Sequence, residues 1–308
     1  MNSLEYRHEP VLLEAVLEHL LTDPDGVYLD VTLGGGGHAY GILSRLGPRG
    51  RLIGLDRDAE AIRAASGRLA SFRGRVGMLQ GDFAEIDRHL ARMGVERLDG
   101  VLADLGLSSR FVDAPERGFS FRYAGPLDMR MDRRSPRTAA HVVNTYDLQR
   151  LGRILWRYGQ EPRARQIAQA IVRARPLSDT VALRRAVESV VPEPERPQAL
   201  ARVFQAIRIE VNDELGALER FLTAIPSWVR PGGRLVVISY HSLEDRLVKR
   251  FMQYGNPSGR PVRDLYGRLL RPWRMLTDKP IRADGGELAR NPRARSARMR
   301  VAERTEAP

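Results

Sequence analysis

The sequence predicts an α/β fold: a doubly wound, mostly parallel sheet interrupted by an inserted all-helical domain. Three observations carry that reading. Short apolar runs alternate with helical patterns through the first part of the chain, strand patterns then vanish from Arg110 to Glu210, and a strongly apolar run returns at Leu235 to Ser239. Alternation of this kind packs helices on both faces of a parallel sheet. The expected domains are residues 1–110, an insertion over 111–210, and a second part of the sheet domain over 211–308.

Val11 to Leu21 places Val11, Leu12, Ala15, Val16 and Leu20 at helical spacing, so a short amphipathic helix precedes the first strand. His8 and Glu9 just before it suit either a cap or a ligand. Val27-Tyr28-Leu29 reads as a strand ending in Asp30, and the four glycines Gly34 to Gly37 follow as a tight turn into a helix. A second apolar run, Leu52 to Leu55, ends in Asp56. A Gly-rich turn and helix N-terminus at the carboxyl edge of a parallel sheet bind nucleotide-like ligands, and an acid about twenty residues past the glycines sits where ribose hydroxyls are held. Gly34-x-Gly36-x-x-Ala39 fits a dinucleotide and an S-adenosylmethionine (SAM) site equally. No Gly-Lys-Ser/Thr follows, so P-loop chemistry is not expected.

A helix over residues 59–72 leads to a third strand, Val76 to Leu79, ending at Gly81-Asp82-Phe83. A polar residue there suits an adenine amine, and Phe83 suits either stacking on the ring or core packing. A helix from Ala84 to Met93 leads to a fourth strand, Leu98 to Ala103, ending in Asp104-Leu105-Gly106-Leu107-Ser108-Ser109. The insertion shows helical patterns at Leu148 to Tyr158, Arg165 to Ala174, Val181 to Val190 and Leu200 to Val211, broken at Pro176, Pro192, Pro194 and Pro197. A helix over Asp213 to Ile225 and a Pro231-Gly232-Gly233 turn bring back the sheet at Leu235 to Ser239. His241 follows that strand, and Ser242-Leu243-Glu244-Asp245 resembles a helix-opening cap. Beyond Gly255 the chain reads as irregular and basic, with Ser296 to Val301 as a final edge strand.

The chain has 308 residues, 43% of them hydrophobic, enough for a substantial core. No apolar stretch is long enough for a membrane span and MNSLEYRHEP lacks a signal-peptide core, so a soluble cytoplasmic protein with no membrane partner is expected. Absence of cysteine excludes disulfides, thiolate zinc sites and a cysteine nucleophile, and no metal cluster is evident. A formal net charge of +12 points to a polyanionic partner. Lys249 and Lys279 are the lysines, so genomic base composition accounts for Arg in place of Lys but not for bases exceeding acids.

ERGFSFRYAGPLDMRMD, at Glu116 to Asp132, interleaves Phe119, Phe121 and Tyr123 with Arg117, Arg122 and Arg130. That mix suits unpaired bases and phosphates, and it equally suits a structural loop whose aromatics cover the sheet. Arg293, Arg295 and Arg298 near the C-terminus offer phosphate contacts.

These stretches together carry a resemblance. DVTLGGGGH at Asp30 to His38, ADLGLSS at Ala103 to Ser109, the Glu116 to Asp132 cluster, FQAIRIEVNDEL at Phe204 to Leu215, ISYHSLEDRLVKRF at Ile238 to Phe251, and NPRARSARMR are similar to the bacterial 16S rRNA cytosine N4 methyltransferases. The resemblance runs along essentially the whole chain. It implies a Rossmann-like class I methyltransferase whose cofactor is SAM, acting on a cytidine in the decoding region of the small ribosomal subunit. By the same resemblance the SAM site comprises Gly36, Gly37 and His38 in the turn, Asp56, Phe83 and Asp104. Relatives often place a glutamine two residues past the Ser-Ser pair; here Phe111 stands there and Arg110 replaces a common proline.

The chemistry has its own demands. The N4 lone pair of cytosine is delocalised into the ring, so the site must align it with the methyl donor and let a proton leave. Asp104 is expected to hold SAM or the amine, with Ser108, Tyr240 and His241 as further candidates at the base and His241 as a possible proton acceptor. Arg117, Phe119, Phe121, Arg130, Tyr240, Arg293 and Arg295 are the candidate RNA contacts. Two other readings stay open on the residues alone: a nicotinamide-dependent oxidoreductase using the same glycines, and a catalytically silent RNA-binding assembly factor.

Overall fold

The computed structural model describes residues 10–107, 111 and 113–307. His8, Glu9, Ser108 and Arg110 lie outside them. The chain forms two compact units: residues 1–106 with 216–308, and residues 107–215.

The first unit is a seven-stranded sheet. Its strands are β1 (Val27–Asp30), β2 (Arg51–Asp56), β3 (Val76–Gln80), β4 (Leu98–Asp104), β5 (Val229–Ser239), β6 (Trp273–Met275) and β7 (Arg298–Arg304), in the spatial order β3-β2-β1-β4-β5-β7-β6. The first five run parallel, and β7 is antiparallel to both β5 and β6. Register aligns Asp30 with Gly54 and Leu102, Asp56 with Gln80, and Asp104 with Ile238, so the acidic strand ends share one edge. The strand order reverses between β1 and β4, which opens a crevice at that edge.

Alternate residues feed two cores. On one face Leu29, Leu55, Val101 and Val237 pack with α4 (Ile86–Arg92), α10 (Glu214–Ala224) and α11 (Ser242–Tyr254). On the other, Tyr28, Leu52, Leu102 and Val236 pack with α1 (Leu13–Leu20), α2 (Gly37–Arg45) and α3 (Ala59–Arg68). Burial on both faces explains why these strands read as continuous apolar runs rather than alternating ones.

Three expectations for this unit need correction. The segment Ser296 to Val301 is not an edge strand: β7 lies between β5 and β6. β6 has only three residues, too few to show a period, and with α12 (Gly285–Arg290) it gives structure to a tail that reads as irregular. Pro231-Gly232-Gly233 does not precede the strand but bulges within β5, where pairing jumps from Leu98–Val229 to Gly100–Arg234 and Gly232 takes φ +81°. Among the described residues no side chain caps α1; Leu12 N–H donates to Glu287 Oε1 at 2.7 Å, 275 residues away, while His8 and Glu9 lie outside the described residues.

The second unit packs α5 (Ala139–Thr145), α6 (Leu148–Gly159), α7 (Ala164–Arg173), α8 (Thr180–Glu188) and α9 (Arg196–Asn212) around one core that includes Leu155, Ile167, Leu183, Val203 and Ile207. α5 is too short for a helical period to stand out, but Thr138 caps it by accepting from His141 N–H. Among the described residues, no helix is long and apolar enough to cross a membrane.

Candidate active site

In the first unit the glycine turn is tied to the strand ends by carboxylates. Asp56 Oδ2 accepts the Gly34 N–H at 2.8 Å, and its Oδ1 accepts the Asp58 N–H at 2.9 Å. Each oxygen keeps a second lone-pair direction for a hydroxyl donor. Burial pushes the Asp56 carboxyl up to about 6, against the pull of those two N–H groups.

Gly36 is the N-cap of α2 at φ +76°, a conformation that favours glycine, and no side chain caps the helix. Its first-turn N–H groups therefore remain available at the crevice edge. A Cβ on Gly36 would lie 3.3 Å from Ala65 Cβ, and one on Gly37 would lie 2.7 Å from Pro10 Cγ. The close approach these two glycines permit is thus to α3 and to Pro10. At Gly35 a Cβ would meet nothing within 4 Å.

His38, buried in the first turn of α2, has Nε2 2.9 Å from the Val11 carbonyl. A carbonyl only accepts, so Nε2 carries a proton and donates to it. Nδ1 faces Asp104 Oδ2 at 3.8 Å. Asp30 stands behind them with 1% exposure; Thr32 donates to its Oδ1 through both N–H and hydroxyl, and its Oδ2 has no partner among the described residues. Burial pushes the Asp30 carboxyl up to about 6, opposed by His38. Thr32 Oγ1 also accepts the Asp104 N–H at 2.6 Å, locking the β1 and β4 ends together. Acceptors crowded in this way suit a cationic or hydrogen-bond-donating ligand.

Tyr240, just past β5, donates its hydroxyl to Asp104 Oδ1 at 2.8 Å. Burial, together with the Asp104 carboxylate, drives its phenol far above the usual value, so it stays a donor. Gly106 makes room for this ring, since a Cβ there would fall 2.7 Å from Tyr240 Cε2. Sequence reading placed Tyr240 at the base and missed its bond to Asp104, because the partner lies 136 residues away.

His241 has a structural task. Its Nδ1 accepts the Glu244 N–H at 3.4 Å while Glu244 Oε2 accepts the His241 and Tyr240 N–H groups, a capping box that opens α11 one residue earlier than Ser242 suggests. Its Nε2 lies 3.1 Å from Glu244 Oε1. Phe83 packs edge-on against the buried Phe221 at 5.5 Å, and the Arg57 guanidinium, paired with Asp82, covers its face at 4.9 Å.

In the second unit the aromatic and Arg cluster is spent largely on its own packing. Arg117 is 4% exposed and donates through Nη2 to the Arg130 and Met131 carbonyls, its guanidinium stacked over Phe111. Phe111 is buried against Phe119 at 4.8 Å. Phe121 meets Phe204 edge-on, and Arg130 pairs with Asp128 at 2.8 Å. Arg117, Phe119 and Phe111 are thus withdrawn from solvent, as the structural-loop alternative for this cluster expects of its aromatics, through hydrophobic burial and carbonyl acceptors. Arg293 and Arg295, in the first unit, are exposed. Ser108 lies outside the described residues.

Comparison with known proteins adds an independent line. Residues 5–305 match the model of the MraW methylase family. The ribosomal RNA small subunit methyltransferase H of Bacteroides thetaiotaomicron is 45% identical over 301 residues, covering 96% of this chain and 97% of its own, and that of Symbiobacterium thermophilum is 46% identical over 311, covering 97% and 96%. Among solved structures, an rRNA methylase from Streptococcus thermophilus aligns over 96% of this chain and 94% of its own at 9% identity and a TM-score of 0.42. Aeropyrum pernix fibrillarin with natively bound SAM aligns over 94% and 73% at 13% identity and the same score.

Proposed function

The chain belongs to the MraW methylase family, and from that premise we propose that it is a SAM-dependent methyltransferase that modifies the exocyclic N4 of one cytidine in the decoding region of 16S rRNA. The observation that carries the reading is the family match along residues 5–305, joined to a sheet edge of the Rossmann-like class I methyltransferase type at which Asp30, Asp56 and Asp104 converge. That match sets aside the oxidoreductase reading of the glycine turn.

The residues present fit SAM. The carboxylates of Asp30 and Asp104 complement a ligand bearing an ammonium and a sulfonium, and Asp30 Oδ2, without a partner among the described residues, would gain a counter-charge. Asp56 keeps acceptor directions for two ribose hydroxyls. SAM supplies a methyl group already activated by a positive sulfur. The protein's task is then to place the acceptor nitrogen in line and to receive its proton.

Asp104 is the residue assigned to that task. Tyr240 fixes its carboxylate and Thr32 its backbone, which holds the group at the β4 end where an amine would be presented. A carboxylate accepting an N4–H bond holds the amine and stands ready for the proton released as the carbon–nitrogen bond forms. The choice of N4 of cytidine follows from the sequence resemblance, and the small-subunit RNA from the printed names of the relatives.

The test is transfer from tritiated SAM to small-subunit rRNA, naked and in 30S particles, by the full chain and by Asp104→Ala. The wild type is expected to label RNA, and the variant to lose turnover at least 100-fold while still binding SAM in calorimetry. Near-normal turnover of Asp104→Ala would remove its role. A wild type that bound SAM and RNA but transferred nothing would favour a silent assembly factor.

A further inference from the structure

One face of α6 is exposed and carries bases without acids of its own. Its exposed residues are Gln149, Arg150, Arg153, Trp156, Arg157 and Gln160. At 100° per residue these six fall within an arc of about 120°, opposite the buried Leu151, Ile154 and Leu155. A solvated helix face ordinarily carries acids among its bases. Here the face has three arginines, two glutamines and no acid.

Trp156 is 69% exposed, whereas Trp273 is fully buried. Tryptophan is the side chain whose exposure loses the most apolar burial, so one standing out from a rigid helix marks a contact surface. Arg153 precedes it by three residues, one turn back on the same face, and Arg157 follows directly, its guanidinium 5.6 Å from the Tyr158 ring. Arg150 is held by Glu210 and stacks on Tyr146, whereas no carboxylate lies within ion-pair distance of Arg153 or Arg157 among the described residues. Arg165 and Arg173 continue the positive, exposed character on α7, which packs beside α6.

We propose that this face of α6 docks an unpaired stretch of RNA, with a base stacked on Trp156 and the flanking phosphates on Arg153 and Arg157. The charge decides the occupant. An exposed indole on a face whose Arg153 and Arg157 no carboxylate neutralises among the described residues disfavours a basic protein surface and matches a strand that presents flat bases and regularly spaced phosphates. The inference rests on the RNA-methylating role proposed above, and it adds a footing on α6, outside the Glu116 to Asp132 cluster.

The experiment uses the full chain and two probes, a 12-nucleotide unpaired RNA and deproteinised small-subunit rRNA, with Trp156→Ala, Trp156→Phe and the double variant Arg153→Gln/Arg157→Gln. Thermal unfolding confirms that each exposed substitution leaves the helical unit folded. Trp156→Ala is expected to weaken RNA affinity about tenfold or more with an unchanged salt slope, and Trp156→Phe to restore most of it. The double variant should flatten the slope of log affinity on log salt by about 1.4. Wild-type affinity in Trp156→Ala, while the wild type still methylates rRNA, overturns this docking face alone. So does a loss confined to protein partners or to self-association. A wild type that neither binds nor methylates rRNA overturns the functional reading beneath it.

Discussion

The Asp30 carboxylate has one oxygen satisfied by Thr32 and one without a partner among the described residues, at 1% exposure. Its carboxyl sits at about 6 instead of the ordinary 3.8, chiefly because burial penalises the anion. The folded chain therefore holds that proton more tightly than the unfolded chain, so stability falls as pH rises from about 4 to about 6 and stays reduced above. Two units of displacement correspond to about 3 kcal/mol as an upper bound. Asp30→Asn keeps an oxygen for the Thr32 N–H and removes the charge. It is expected to raise stability in urea melts by on the order of 1–3 kcal/mol at pH 8, with the gain vanishing near pH 4. Destabilisation at pH 8 would show that the anion is compensated in the free protein. Tyr240 makes a second test at this scale. Its hydroxyl serves Asp104, so Tyr240→Phe should lower kcat about tenfold or more, as expected for losing a hydrogen bond to a charged group, while KM for RNA holds. A raised KM with unchanged kcat would return Tyr240 to the base.

Elements were legible where a period or a run could build up. β1 to β4 and α6 to α9 stand out because their apolar residues repeat over enough positions to reveal a face. β6 and α5 do not, having three and seven residues. The order β5-β7-β6 is invisible for a different reason: antiparallel return of β7 beside β5 is a long-range choice that no local pattern encodes. Among site residues, the glycine turn and Asp56 follow from strand-turn-helix spacing, whereas the links Tyr240 to Asp104 and Thr32 to Asp104 join distant segments. Histidine type alone suggests acid–base work at His241, and its place before α11 adds a capping bond that residue type does not announce. His241→Ala should cost about 1 kcal/mol of stability, with His241→Asn restoring most of it. An equal loss of activity in both variants at full stability would reinstate a chemical role. The Glu116 to Asp132 loop yields a stronger prediction. Gly118 holds φ +70° with the Pro126 carbonyl where a Cβ would go, so Gly118→Ala should destabilise the helical unit by about 3 kcal/mol or more, read as a lower thermal midpoint.

At the scale of the whole molecule the chain divides its labour between a sheet unit that carries the acidic, donor-seeking edge and a helical unit with a basic, aromatic face. The exposed Arg293 and Arg295 are proposed as phosphate contacts. With about six such contacts, log affinity for RNA should fall with log salt at a slope near −4 to −5; a flat response would remove the electrostatic account of binding. The central claim is methyl transfer to one cytidine N4, and the most direct measurement is nucleoside analysis of small-subunit rRNA after incubation with the protein and methyl-labelled SAM. The label is expected in N4-methylcytidine at a single decoding-region position. Label on another base or another atom, with SAM consumed, would contradict it.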